Sequence, residues 1–195
     1  MTKLACLEEK IRALYESKSE SRADWADWLF ETHVFRVAEE AKQLAEKYNA
    51  DIEISTAAAM LHDIADAVMA RTEPNHEAES LAIAEQLLKE CAFGETGIEQ
   101  ILTDILPHHS CRPGALPKTL EGKVMAGADA LVHLESDFYE EAEKKIIAEG
   151  RSVPEFKTWM QEKIDRDFTA KIFFPEEQER VRARYEELTR HVAAL

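Results

Sequence analysis

Cysteine is scarce. Cys6, Cys91 and Cys111 are an odd number with no CxxC spacing, so the sequence argues for neither a disulfide framework nor a thiolate metal site. Long apolar runs are also missing. The opening MTKLACLEEK has acidic residues where a secretory signal needs a continuous apolar stretch, and no later segment is long enough to span a bilayer. A soluble, cytoplasmic protein with no membrane partner is expected. No period-two run with β-branched enrichment is found, which argues against a sheet-based fold. Positive charge is in deficit too: 24 Lys plus Arg face 39 Asp plus Glu, a net charge of −15 whose field repels duplex nucleic acid. Nucleic acid is therefore not expected as a partner. An anionic substrate would need local compensation from a divalent cation and a few basic side chains.

What remains is helical spacing almost everywhere. With 195 residues, 45% of them hydrophobic, the chain is read as all-α and as one compact domain. The first amphipathic segment covers roughly residues 2–17, and SESR breaks it. DWADWLFETHVFRVAEEAKQLAEKY forms the second helix, ending near Asn49, with Phe30, Val34, Val37, Ala41 and Leu44 on its apolar stripe. Ser55 is the expected cap of a third helix that contains AAAMLHDIADAVMA and stops before RTEPN, where Pro74 breaks it. A fourth helix starts near His76. A fifth runs from about Gly97 to Leu106, with Pro107 marking its end, and the polar loop HHSCRPGALPK follows. Thr119 caps LEGKVMAGADALVHL, and three more helices follow, broken at Gly150 and Pro175. EEAEKKIIAEG reads as a solvated face. Nothing in the sequence sets an oligomeric state.

The chemistry is concentrated in AAAMLHDIADAVMA. Burying an unpaired carboxylate costs several kcal/mol, so ionisable groups in an apolar helix are expected to be paired or to bind metal. On a helix His62 and Asp63 would point about 100° apart and both could lean on one ion. His33 lies on an apolar face between Phe30 and Val37. Asp129 lies in VMAGADALV, where Gly127 and Ala128 permit close helix approach. The four make a His2Asp2 set drawn from three helices. Such ligation suits Mn, Fe, Co, Ni, Zn or Mg over a thiolate-loving metal, and leaves positions open for water and substrate.

This order, His, then His-Asp, then a distant Asp, resembles the HD-domain superfamily of metal-dependent phosphohydrolases. THVFRVA, AAAMLHDIAD, NHEAES, ILPHHS and EGKVMAGADAL are similar, in the same order, to the small bacterial and archaeal HD hydrolases. The likeness covers roughly residues 25–135. It implies an HD-domain helical bundle in which residues 1–24 pack on a metal-binding core of residues 25–135, and residues 136–195 complete the same domain. Relatives usually continue Arg-Leu-Asp after the last ligand, whereas ADALVH here places Ala130, Leu131 and His133.

The resemblance implies roles for further residues. Asp66 is first an acceptor that orients His or Arg, with proton carrier as the alternative. His76 and His109 face the substrate phosphate beside one tight ion, or complete a second metal site as in binuclear relatives. Arg36 and Lys123 are candidates for holding phosphate oxygens. His108 and His133 are read as flanking structure, and Trp25 and Trp28 as core ahead of pocket wall. The implied activity is metal-dependent hydrolysis of a small phosphorylated metabolite, with a nucleotide as first choice by analogy. Two other classes fit the same scaffold: a di-iron oxygenase using all six ligands, and a ligand-binding or regulatory protein that keeps the metal without turnover.

Overall fold

Thr2 accepts a hydrogen bond from Ala5 N and opens α1, Lys3–Glu16, which buries Leu7, Ile11 and Tyr15. The computed structural model describes residues 1–148, 150 and 152–195, and among these no strand forms. A short α2, Ala26–Leu29, passes through a π-helical turn, Phe30–Val34, into α3, Phe35–Tyr48. α3 stops at Asn49, which is left-handed at φ 58°, a conformation that asparagine tolerates better than most residues.

α4, Ile52–Leu61, differs from expectation at both ends. Its cap is Asp51, whose side chain accepts from Ile54 N at 3.0 Å. Ser55 lies one turn inside, fully buried, because an equally good cap precedes it and takes the free N–H groups first. The helix then ends at Leu61 rather than at RTEPN. His62 is extended, Asp63 is left-handed at φ 55°, and a 3-10 turn, Ile64–Ala67, follows. Apolar residues on every side of this segment leave no periodicity by which the break could be read.

α5, His76–Glu90, starts where expected. α6, Glu95–Gln100, enters a second π turn, Ile101–Ile105, and continues as α7, Leu106–His108. Pro107 does not end this helix. It sits at the start of α7, directly after the π turn in which Leu106 N donates to Ile101 O, and the helix continues past the one N–H that proline lacks. Thr119 caps α8, Leu120–Glu135, accepting from Gly122 N at 3.1 Å. α9, Phe138–Ala148, and α10, Val153–Arg166, come next, then a third π turn, Asp167–Lys171, and α11, Pro175–Ala194.

α4 and α8 are the central helices, buried on nearly every side, and α3 packs across both. One continuous set of buried apolar side chains runs from Leu7 in α1 to Val192 in α11. Gly127 does not set the close approach expected of it, since a Cβ there would meet the Lys171 carbonyl oxygen at 3.7 Å, an ordinary contact.

Cys6 and Cys91 form a disulfide, with Cα atoms 5.7 Å apart, that ties α1 to the end of α5. This corrects the reading that no disulfide was indicated. The partners lie 85 residues apart and meet only through helix packing, which cysteine spacing does not report. Cys111 is free and buried. Among the described residues no helix is long and apolar enough to cross a membrane.

Candidate metal centre

The break after α4 builds the site. Leaving the helix at His62 turns its ring towards α3 and α8, and the ring is held by its Nδ1–H donating to the Ala59 carbonyl. That bond fixes the tautomer and leaves the Nε2 lone pair free. His62 Nε2 lies 3.2 Å from His33 Nε2, and His33 Nε2 lies 3.0 Å from Asp129 Oδ1. Ligand atoms of His33, His62 and Asp129 all fall within 4.8 Å of one another, and all three residues are buried. Asp129 Oδ1 is buried with His33 Nε2 close beside it, yet no well-formed hydrogen bond satisfies it. Lone pairs converging this tightly repel unless a proton or cation lies among them. The set therefore fits a divalent ion.

Electrostatics favour ligation as well. Burial, only partly offset by Asp129, lowers the His33 pKa to about 3, so its imidazole is neutral at pH 7, as a ligand requires. Burial alone would raise the Asp129 carboxyl. His133 and Lys171 outweigh it and hold the group ionised, well below the usual carboxylate range.

Asp63 stands apart from the three. Its Oδ2 pairs with Arg71 at 2.8 Å, and its Oδ1 lies 3.6 Å from His109 Nε2. Asp66 is buried and accepts from Arg71 Nε at 2.9 Å and from His76 Nε2 at 2.9 Å. His109 donates from Nδ1 to the Leu106 carbonyl, which turns Nε2 towards Asp63 and into the cavity. His76 faces a smaller neighbouring cavity of about 250 Å³ that shares Asp63, Arg71 and His109 with the main one.

Several residues at the centre carry no site role in the sequence reading. His133, read as flanking, stacks on His33 with ring centroids 4.6 Å apart, and its Nε2 lies 3.4 Å from Asp129 Oδ1. The reading failed because His133 is one helical turn after Asp129 and shares its face. Lys171 donates to Asp129 Oδ2. Asp167, fully buried, lies 3.0 Å from both His133 Nδ1 and Lys163 Nζ and accepts from the Tyr139 hydroxyl at 2.6 Å. Two buried carboxylates and two ammonium groups thus balance one another beside the histidines.

Arg36 and Lys123 do not reach the site. Arg36 is exposed on α3, and Lys123 lies over the Phe173 ring, 5.9 Å from its centroid. The cations lining the main cavity of about 420 Å³ are instead Arg71, Arg112, Lys163, Arg166 and Lys171. Trp25 lines that cavity, whereas Trp28 stacks on Phe138.

The HD domain family model matches residues 30–133, just over half of the chain. The chain belongs to the HD domain family. No curated protein and no solved structure matches it significantly. The HD match contains His33, His62, Asp63 and Asp129, and with them the convergence described above. Members of this family are generally metal-dependent hydrolases, and the buried His33, His62 and Asp129 form a group that could hold the metal. Lys163, Asp167, Lys171 and Arg166 lie beyond the HD match, so this chain builds one wall of its HD cavity from its C-terminal helices.

Proposed function

We propose that this HD protein is a divalent-metal-dependent phosphohydrolase that releases phosphate from a small phosphorylated metabolite, a nucleotide being the first candidate. The observation that carries the reading is the convergence of His33, His62 and Asp129 beneath a cavity lined by five basic side chains, in a chain of net charge −15. Those three would hold the ion, with Asp63 as the fourth member. A bound divalent ion supplies a coordinated water of lowered pKa and neutralises charge on a phosphoryl oxygen.

The chain's own groups do the rest. Hydrolysis joins a water oxygen to phosphorus, breaks the bond to the leaving oxygen, and delivers a proton there. Lys163 and Lys171 already balance Asp129 and Asp167, so an added ion would present its charge to the substrate rather than spend it on those carboxylates. Arg71, oriented by Asp66, offers its guanidinium edge at the cavity. Burial lowers the His109 pKa, so its ring is neutral near pH 7 and Nε2 can accept a proton.

One ion is the favoured count, because His76 is engaged by Asp66 and His109 faces Asp63, so neither joins the three convergent ligands. The test is phosphate release from a panel of phosphorylated metabolites, with metal content measured alongside. Chelation is expected to abolish release, and Mn or a similar ion to restore it. Release that survives chelation and dialysis would refute the metal-dependent reading.

A further inference from the structure

Along α10, Trp159, Lys163 and Arg166 recur at helical spacing and all three line the main cavity. Lys163 Nζ lies 3.1 Å from His133 Nδ1, at the metal end. Trp159 is one turn earlier, so it lies about 6 Å farther out along the axis. α9 repeats the pattern. Phe138 touches His133, with ring centroids 4.0 Å apart, and Ile146, two turns on, lines the same cavity about 12 Å along the helix. Leu29 lines it too. The cavity therefore has a charged end at the histidines and an apolar part at Ile146 and Trp159, one to two helical turns farther out.

Arg166 supplies a second, independent observation. Its Nε is buried, and among the described residues no acceptor pairs with it. A guanidinium left without a partner in a partly desolvated wall is costly unless a ligand brings the anion. Lys163 and Lys171, by contrast, are matched by Asp167 and Asp129.

We propose that α10 forms the subsite that selects the substrate. Arg166 pairs with the phosphate, and Trp159, with Ile146, receives a flat or apolar group on the alcohol that carries it. The substrate class is thus an organic phosphate monoester with a ring or apolar group one to two helical turns from phosphorus, not inorganic polyphosphate or a small polar phosphate. A cavity of about 420 Å³ matches a small molecule of this kind. The proposal rests on the phosphohydrolase reading for the phosphate, but it assigns specificity to residues beyond the HD match.

The test compares binding of 1-naphthylphosphonate and methylphosphonate, which carry the same non-hydrolysable anion, by calorimetry on the Mn-loaded full chain. Naphthylphosphonate is expected to bind at least about tenfold tighter. Trp159→Ala should bring the two within about threefold of each other, and Trp159→Phe should keep most of the preference. Arg166→Gln should weaken both by about tenfold. Equal binding of the two ligands, a preference that survives Trp159→Ala, or no binding of either would overturn the proposal. Phosphate release from 1-naphthyl phosphate is read separately. Its absence with the binding pattern intact would sink hydrolysis and leave the subsite standing, while release indifferent to Trp159 would do the reverse.

Discussion

Asp129 divides its two oxygens between two duties. Oδ2 takes the Lys171 ammonium, and Oδ1 faces three histidines without a donor. Replacing Lys171 by Met removes one of two ammonium groups from a cluster holding two buried carboxylates. A loss of about 3–5 kcal/mol is expected in urea denaturation, and a loss near zero would show that the pair carries no weight. Acid should act on the same cluster. Burial depresses the His33 pKa from 6.5 to about 3, so between those values the unfolded chain binds a proton that the folded chain does not. Stability from this group is therefore full above pH 6.5 and is lost as pH falls towards 3. Burial lowers His109 and His133 in the same direction. The thermal midpoint should rise from pH 4 to pH 7 and then level off, and His33→Gln should flatten that rise. His33, His62 and Asp129 were legible because each interrupts an apolar run. Lys163, Asp167 and Lys171 were not: in KIDRDFTAK charged residues are as dense as on any solvated face, and only packing against α8 reveals which are buried.

Helix ends were easier to read than helix interiors. Thr119, Asn49 and the start of α5 at His76 stand where their residue types put them. The three π turns left no mark, because each inserts a residue within an otherwise helical pattern and rotates everything after it. Each of them serves the site. The first contains His33, the second leads through α7 to His109, and the third contains Asp167 and Lys171. The two glycines of α8 make a matched test at this scale. A Cβ at Gly122 would lie 2.6 Å from Pro117 Cβ, whereas at Gly127 the nearest atom is at 3.7 Å. Gly122→Ala should lower stability by about 1–3 kcal/mol. Gly127→Ala should leave it unchanged or raise it by up to about 1 kcal/mol through helix propensity. Comparing the two thermal midpoints checks both, and equal effects would contradict this packing of α8.

At the scale of the molecule, α1 and the C-terminal helices close the core around the segment matched as HD. The disulfide fixes the first of these to the body. Cys6→Ser should cost about 2–4 kcal/mol in unfolding free energy, and the unmodified chain measured with dithiothreitol should fall to the variant's value. No change in either would mean that helix packing alone holds α1. At the other end, the cations that neutralise Asp129 and Asp167 arrive late in the chain. Lys171 is 42 residues beyond Asp129, so at about 5–20 residues per second a ribosome delivers it about 2–8 s later. Until then Asp129 on α8 lacks the Lys171 ammonium, and the turn that packs over it is missing as well. During that interval the oxygen pair is open to a dissolved cation with no lysine of its own to compete.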